Sequence, residues 1–303
     1  MAAEPGAAPA RPSDSTNDGV RVVVVWLVLS AIATPLVAIY VGPLIPPGNG
    51  SVQAQGQTFS NQVMVSFVTP ILCLMAVFFV YGLIRFHAKR NEAVLDGPPI
   101  RNDARVQLLW IVITTTMVLF LAGFGTYELL KDGAGGGQGP NPIAQPTGHQ
   151  NAFQVQVIGQ QWQFTYRYPS LGGMESNQLY LPENTLVAFH VTSLDVVHSF
   201  WAYQLGVKAD ANPGVDNVAY VTTKGPLTFN VRCAELCGLW HGYMFDEGHV
   251  VPQAQFNSWA AGAVRLYAAI KPFANRPPDQ GGAPFAYSYL PAPQGGPPQR
   301  RAG

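Results

Sequence analysis

Arg232-Cys233-Ala234-Glu235-Leu236-Cys237-Gly238-Leu239-Trp240-His241-Gly242-Tyr243-Met244 is the stretch around which the rest of the chain is read. Two thiols, an imidazole and a thioether fall within the twelve residues from Cys233 to Met244, and the carboxylate of Glu235 sits between the thiols. Soft sulfur with imidazole nitrogen selects copper over magnesium, calcium or manganese. A mononuclear blue-copper site takes one Cys, two His and a weak axial Met, so this stretch has one Cys too many. Two thiolates four residues apart can instead bridge two copper ions, each ion taking one His and one weak axial ligand. The second His must come from elsewhere, and His198, in Asp195-Val196-Val197-His198-Ser199-Phe200-Trp201, is the candidate. A Cys233–Cys237 disulfide or a structural zinc site on two Cys and two His would also use the thiols. Neither gives a role to Met244, Glu235 or the apolar segments upstream.

The pattern Cys-x-Glu-x-Cys-x-x-x-His-x-x-Met, downstream of Asp-x-x-His-Ser, resembles the binuclear copper (CuA) domain of cytochrome c oxidase subunit II. The resemblance covers residues 60–265. It implies that Cys233 and Cys237 bridge two coppers, that His198 and His241 are terminal ligands, and that Met244 is axial on one ion. It implies that the Glu235 backbone carbonyl is axial on the other, while the Glu235 side chain holds magnesium at the contact with subunit I. Hard oxygen on magnesium and soft sulfur on copper agree with the preferences of the two ions. The fold it implies is a Greek-key cupredoxin β-barrel behind a transmembrane two-helix hairpin. The partners it implies are a haem-containing subunit I, a subunit III, and cytochrome c as donor.

Upstream of the metal stretch, residues 151–270 alternate in short runs: Phe153–Val157, Asn177–Leu181, Leu186–Val191, Val218–Val221 and Leu227–Val231. Turn signals such as Pro182-Glu183-Asn184, Asn212-Pro213-Gly214 and Lys224-Gly225-Pro226 separate them. Many short strands with regular breaks predict an all-β sandwich or barrel. The metal stretch then lies between the last two strands, His249-Val250-Val251 belongs to the final one, and residues 253–270 read as a closing helix.

Further upstream the chain is membrane-like. From Val22 to Ile84 there is no Asp, Glu, Lys or Arg, and apolar runs cover Val22–Ile45 and Val65–Ile84. A third run, Val106–Tyr127, is also free of charge. Each is long enough to cross a hydrocarbon core of about 30 Å at 1.5 Å per residue. Pro35 and Pro70 are tolerable in membrane helices. Arg85, Lys89, Arg90, Arg101 and Arg105 lie between the second and third runs and no basic residue between the first and second, so the positive-inside rule puts residues 85–105 in the cytoplasm and the copper domain outside. The expected division is a disordered N-terminus over 1–20, an extra transmembrane helix or signal segment over 21–45, and the hairpin over 63–130. A Gly/Pro linker over 131–150 follows, then the β-domain over 151–270 and a Pro/Gly-rich tail over 271–303. A long apolar core favours an anchor for residues 21–45. Small residues at Val52-Gln53-Ala54 leave cleavage open. The Ala/Gly/Pro-rich termini favour a bacterial plasma membrane.

Composition excludes other classes. Net charge is zero, with no basic patch or phosphate-cradling glycine loop, so no nucleic-acid partner is expected. Three cysteines make no disulfide scaffold, and Cys73 reads as a small buried residue of an apolar run. No Cys-x-x-Cys-His is present, so no covalent haem is expected.

Several residues outside the ligand set match the family or depart from it. Gln161–Tyr168 reads as an aromatic strand whose Trp162 matches the family's ring for receiving electrons from cytochrome c; Gln163 stands where relatives often carry a second aromatic. Asp195 resembles an acidic residue of the family's docking face, and Lys208–Gly214 reads as a turn. Gln107 replaces a Glu that opens a proton-uptake route in many relatives, and an amide does not relay a proton as a carboxylate does. His87, His149, His190 and His249 read as structural or surface residues.

The expected function is electron transfer from cytochrome c through subunit II to haem in subunit I, where oxygen is reduced to water and protons are pumped. A membrane-tethered copper electron carrier without an oxidase partner is the alternative. Cys237 opposes its mononuclear form, and three helices exceed what a tether needs. Quinol-oxidase relatives resemble this domain with the copper ligands lost, and nitrous-oxide reductase would need a propeller domain for which there is no room.

Overall fold

A computed structural model of the chain describes residues 15–45, 47–86, 103–131 and 148–274. The expected linker core (132–147), the tail from 275, and the basic residues Lys89, Arg90 and Arg101 lie outside the described residues, as does His87. The chain forms two compact units, one with residues up to Gly42 and Gln62–Ile111, the other with Pro43–Asn61 and Val112 onward.

Helices supply the first unit: α1 (Ser15–Tyr40), most of α2 (Val52–Arg85) and the first turns of α3 (Ala104–Lys131). All three helices are long and apolar enough to cross a membrane. α1 starts inside the segment expected to be disordered, because residues there have partners. The Tyr81 hydroxyl donates to Asp18 Oδ1 at 2.6 Å, and Arg21 and Arg85 lie 3.4 and 3.5 Å from the same oxygen. Trp26 Nε1–H donates to the Pro70 carbonyl at 2.8 Å, so α1 and α2 share a polar contact as well. α3 is capped by Asp103, whose Oδ1 accepts from Arg105 N–H at 2.9 Å.

The second unit is a β-sandwich. Its strands are β1 (Phe153–Gln160), β2 (Gln163–Tyr168), β3 (Met174–Ser176), β4 (Leu179–Pro182), β5 (Leu186–Ser193), β6 (His198–Ala202), β7 (Val207–Ala211), β8 (Asn217–Thr222), β9 (Leu227–Cys233) and β10 (Phe245–Val251). One sheet runs β3-β2-β1-β5-β8 and the other β4-β10-β9-β6-β7. β1 pairs parallel with β5, and β4 parallel with β10; the other pairs are antiparallel. The chain changes sheet from β3 to β4, β4 to β5, β5 to β6, β7 to β8 and β8 to β9, so each sheet is built from distant stretches. Inward residues fill the gap between them: Val157, Tyr166, Phe189, Phe200, Phe229 and Val231 are fully buried. Burial of such side chains drives the packing, at about 1.5–3 kcal/mol each.

β6 and β7 were not among the sequence-read strands. Lys208–Ala211 is strand rather than turn, because β7 pairs with β6 from Val207 to Ala211. The turn follows, where Val215 N–H donates to Asn212 O. α4 (Gln253–Ala274) covers one end of the sandwich with Phe256, Trp259, Ala260 and Ala263, the spacing of an amphipathic face. The Trp259 ring stacks on Tyr180 with centroids 4.6 Å apart.

The segment before and into α2 is a strap on this unit. Gly50 N–H donates to Gln204 O, and Gly50 O accepts from Lys224 N–H. The Ser51 hydroxyl donates to Leu205 O at 2.6 Å and accepts from Ala54 N–H at 2.9 Å. Gln53 Oε1 accepts from Thr222 N–H, and Gln57 Nε2 donates to Gly206 O, both at 2.8 Å. Ser51 is completely buried. Ser51→Val is expected to leave Leu205 O and Ala54 N–H without the hydroxyl and to destabilise the chain by about 1–3 kcal/mol. Denaturant unfolding of the full chain in detergent measures this; an unchanged midpoint would show that the strap contributes nothing.

Candidate metal centre

β9 ends on Cys233 and β10 begins at Phe245, and the loop between them carries the remaining donors. Backbone bonds fix its ends: Cys233 N–H donates to Met244 O at 3.0 Å, and Ala234 N–H to Ser199 O at 2.9 Å. A short 3-10 turn, His241–Tyr243, brings His241 and Met244 back toward Cys237. His198 opens β6, the strand next to β9, where Phe200 pairs with Cys233. Its ring rests on Gly159 of β1; a Cβ there would lie 3.1 Å from His198 Cδ2.

The sequence-predicted donors therefore converge. Cys233 and Cys237 are free thiols with sulfurs 3.8 Å apart. His198 Nδ1 is 3.9 Å from Cys233 Sγ, and His241 Nδ1 is 3.5 Å from Cys237 Sγ. Met244 Sδ is 3.8 Å from Cys237 Sγ, and the Glu235 carbonyl oxygen is 3.2 Å from Cys233 Sγ. The donor atoms of His198, Cys233 and Cys237 all lie within 4.8 Å of one another. Cys233, Cys237, Met244 and His198 are buried, whereas the Glu235 side chain is exposed. Metal–sulfur and metal–imidazole bonds are about 2.0–2.3 Å, so these separations fit donors sharing a metal rather than a disulfide.

Electrostatics separate the thiols. Burial works against ionising Cys233, but hydrogen bonds from His198 and from the backbone of Glu235 and Ser199 bring it down to about 6. Burial and the adjacent Cys233 sulfur push Cys237 up to about 12. His198 is raised: burial opposes its charged form, but its bonds to Cys233 and Asp195 outweigh that.

The sequence reading placed Trp162 in a strand. It lies instead in the two-residue turn between β1 and β2, half-buried, and its Nε1–H donates to the Cys237 carbonyl at 3.2 Å. Gln161 Nε2 donates to the same carbonyl at 2.8 Å. Asp195 contacts the site directly, since its Oδ1 accepts from His198 Nε2–H at 2.8 Å. The Asp-x-x-His spacing was the signal for this contact. Gln161 and Gly159 carried none, because their contacts are long-range. The other described histidines are engaged elsewhere. His190 Nδ1 meets Asp216 Oδ2 at 2.8 Å, His249 meets Thr228 Oγ1 at 3.2 Å, and the His149 ring faces Tyr220 at 6.4 Å.

Soft donor groups gathered at one end of a β-sandwich, in a chain that also has membrane-length helices, define a membrane-anchored protein of cupredoxin-like fold with a candidate metal centre. The sequence model of the cytochrome c oxidase subunit II periplasmic domain matches residues 174–247. Cytochrome c oxidase subunit 2 of Synechocystis sp. is 28% identical over 232 residues, covering 65% of this chain and 69% of that protein. The probable cytochrome c oxidase subunit 2 of Rickettsia prowazekii is 30% identical over 213 residues, covering 61% of this chain and 62% of that one. The crystallised periplasmic domain of cytochrome oxidase subunit II from Bradyrhizobium japonicum is 30% identical over 38% of this chain and 95% of that domain, with a TM-score of 0.37. The chain is similar to the cytochrome c oxidase subunit II family, whose periplasmic-domain model it matches. It is a membrane protein whose β-domain lies on the outer side.

Metal uptake through both sulfurs must expel the Cys237 proton at neutral pH; the raised His198 can hold a competing proton too, and below about pH 6 so does Cys233. Copper affinity is therefore expected to rise with pH, with the steeper dependence on the acid side. Copper titration with a pH indicator dye checks this; uptake without proton release would contradict it.

Proposed function

We propose that the chain is the electron-receiving subunit II of a haem–copper cytochrome c oxidase, and that its site is a binuclear copper (CuA) centre. The observation that carries this is the pair of sulfurs 3.8 Å apart with one imidazole nitrogen beside each. A mononuclear blue-copper reading takes both imidazoles and the thioether but leaves one Cys over. Cys233 and Cys237 would hold the coppers through their thiolates, His198 and His241 would each bind through a ring nitrogen, and Met244 and the Glu235 carbonyl would be weak donors. Bound copper supplies a one-electron couple shared between two ions.

The residues supply the rest. Cys233 and His198 sit at strand ends and backbone bonds clamp the loop that carries the other donors, so little rearrangement would accompany transfer. Trp162 would receive electrons from cytochrome c. Its bond to the Cys237 carbonyl supports this, since it joins a half-exposed ring to a ligand residue. Leu236, Leu239 and Tyr243 are 79, 83 and 71% exposed on the loop, an apolar surface suited to partner contact. The Glu235 carboxylate, exposed beside its inward carbonyl, would hold magnesium against the haem-containing subunit I, which passes electrons on to reduce oxygen to water with proton pumping. Subunit III completes the expected assembly in a bacterial plasma membrane.

Metal analysis and electron paramagnetic resonance of the full chain test the site. Two coppers per chain in a mixed-valence signal are expected, and one copper with a mononuclear spectrum would end the binuclear reading. Glu235→Gln in the assembled complex should lose magnesium and keep both coppers.

Trp162→Ala is expected to slow reduction by cytochrome c by orders of magnitude, with copper content unchanged and donor affinity only modestly reduced, because docking is steered over a wider face. If the ring is only packing, truncation costs about 3–5 kcal/mol, and the chain melts earlier and loses copper. Stopped-flow reduction beside a thermal melt separates the two.

A further inference from the structure

Resting on the proposed copper site, we infer that Asp195 is a positioning residue that sets the His198 ligand and ties it to the Trp162 turn, rather than a charge reserved for docking. A carboxylate is acceptor-only when ionised, with about four lone-pair sites on its two oxygens. Three are taken from within the chain: Oδ1 accepts from His198 Nε2–H at 2.8 Å and from Val196 N–H at 2.7 Å, and Oδ2 accepts from Gln161 N–H at 2.7 Å. The Ser193 hydroxyl lies 3.3 Å from Oδ1 as well. Although the Asp195 side chain is 33% exposed, it has little acceptor capacity left for a partner.

This arrangement decides which imidazole nitrogen can bind metal. With the proton of the neutral ring on Nε2, facing the carboxylate, the lone pair lies on Nδ1, the nitrogen 3.9 Å from Cys233 Sγ. A second-shell carboxylate on a ligand histidine fixes ring orientation and tautomer in this way. The completely buried His198 ring has Gly159 on another side.

The same carboxylate reaches the metal loop by a second route. Gln161, held through its backbone N–H by Asp195, donates its side-chain amide to the Cys237 carbonyl at 2.8 Å, and Trp162 donates there at 3.2 Å. Gly238, at φ +113, keeps this approach open, since a Cβ there would lie 3.0 Å from Gln161 Nε2. A ring of hydrogen bonds therefore runs from His198 through Asp195 and Gln161 to Cys237, around the outside of the sulfur pair. Asp195 sets both a ligand and the turn that carries Trp162.

The experiment uses the full chain in detergent, with copper affinity read by chelator competition, the optical and paramagnetic spectra, and a thermal melt of the metal-free chain. Asp195→Ala is expected to reach the same copper content as wild type at saturation, to bind about 10–100-fold more weakly, and to show a changed spectrum. Asp195→Asn keeps one acceptor oxygen and should fall between the two. Wild-type affinity and spectrum in Asp195→Ala, with only a raised KM for cytochrome c, would overturn the assignment in favour of docking. Nitrogen shifts of His198 in the metal-free wild-type chain give an answer that needs no variant. A proton on Nε2 is expected, and a ring with Nε2 unprotonated would sink the proposal. Failure of wild type to take up copper would instead remove the proposed function, while the tautomer would still report on Asp195.

Discussion

Two buried thiols 3.8 Å apart are the constraint on which the outer unit depends. Both cannot ionise cheaply without a cation between or beside them, because burial and mutual repulsion oppose the second charge. Cys233 near 6 and Cys237 near 12 express that conflict in the metal-free chain. A fold that forces sulfur, imidazole and thioether donors together accepts this frustration at one end, and a soft metal ion relieves it.

The rest of the sandwich holds those donors against their tendency to move apart. Cys233 ends a paired strand, His198 begins its neighbour, and the loop is clamped where Cys233 N–H meets Met244 O. Beneath them the inter-sheet core is aromatic, with Phe164, Tyr166 and Phe189 all meeting the Phe200 ring. Such a packed interior resists small displacements, so ligand positions on its rim inherit that stiffness. α4 covers another part of the unit with apolar side chains, and the strap from Gly50 to Gln57 satisfies carbonyls and amides that would otherwise be buried without partners.

Residues around the donors link this rigidity to the proposed electron path. The Cys237 carbonyl accepts from both Gln161 and Trp162, so one backbone oxygen joins a ligand to a half-exposed ring. On the other side, apolar Leu236 and Leu239 face outward beside buried sulfur. A surface of that kind belongs to a chain that works in an assembly.

Sequence alone picked out the donor set of the candidate site. Ligand types and their separations along one loop are local, so Cys233, Cys237, His241 and Met244 could be read directly, and His198 followed from the need for a second imidazole. Charge-free runs marked the helices for the same reason, since length and composition are local properties. Alternation found the strands around Val155, Leu179, Phe189, Val218 and Phe229. It missed the short β3 and β6, and β7, where Lys208 and Asp210 put charge into the pattern. Only the tertiary structure turned Trp162 out of a strand into the β1–β2 turn, gave Asp195 to His198 and Gln161, and docked Ser51 against Leu205. It also began α1 at Ser15, where Asp18 finds Tyr81 and Arg85. Each of these choices depends on a hydrogen-bond partner brought near by folding, and a polar group's partner across the fold leaves no periodic trace in the chain.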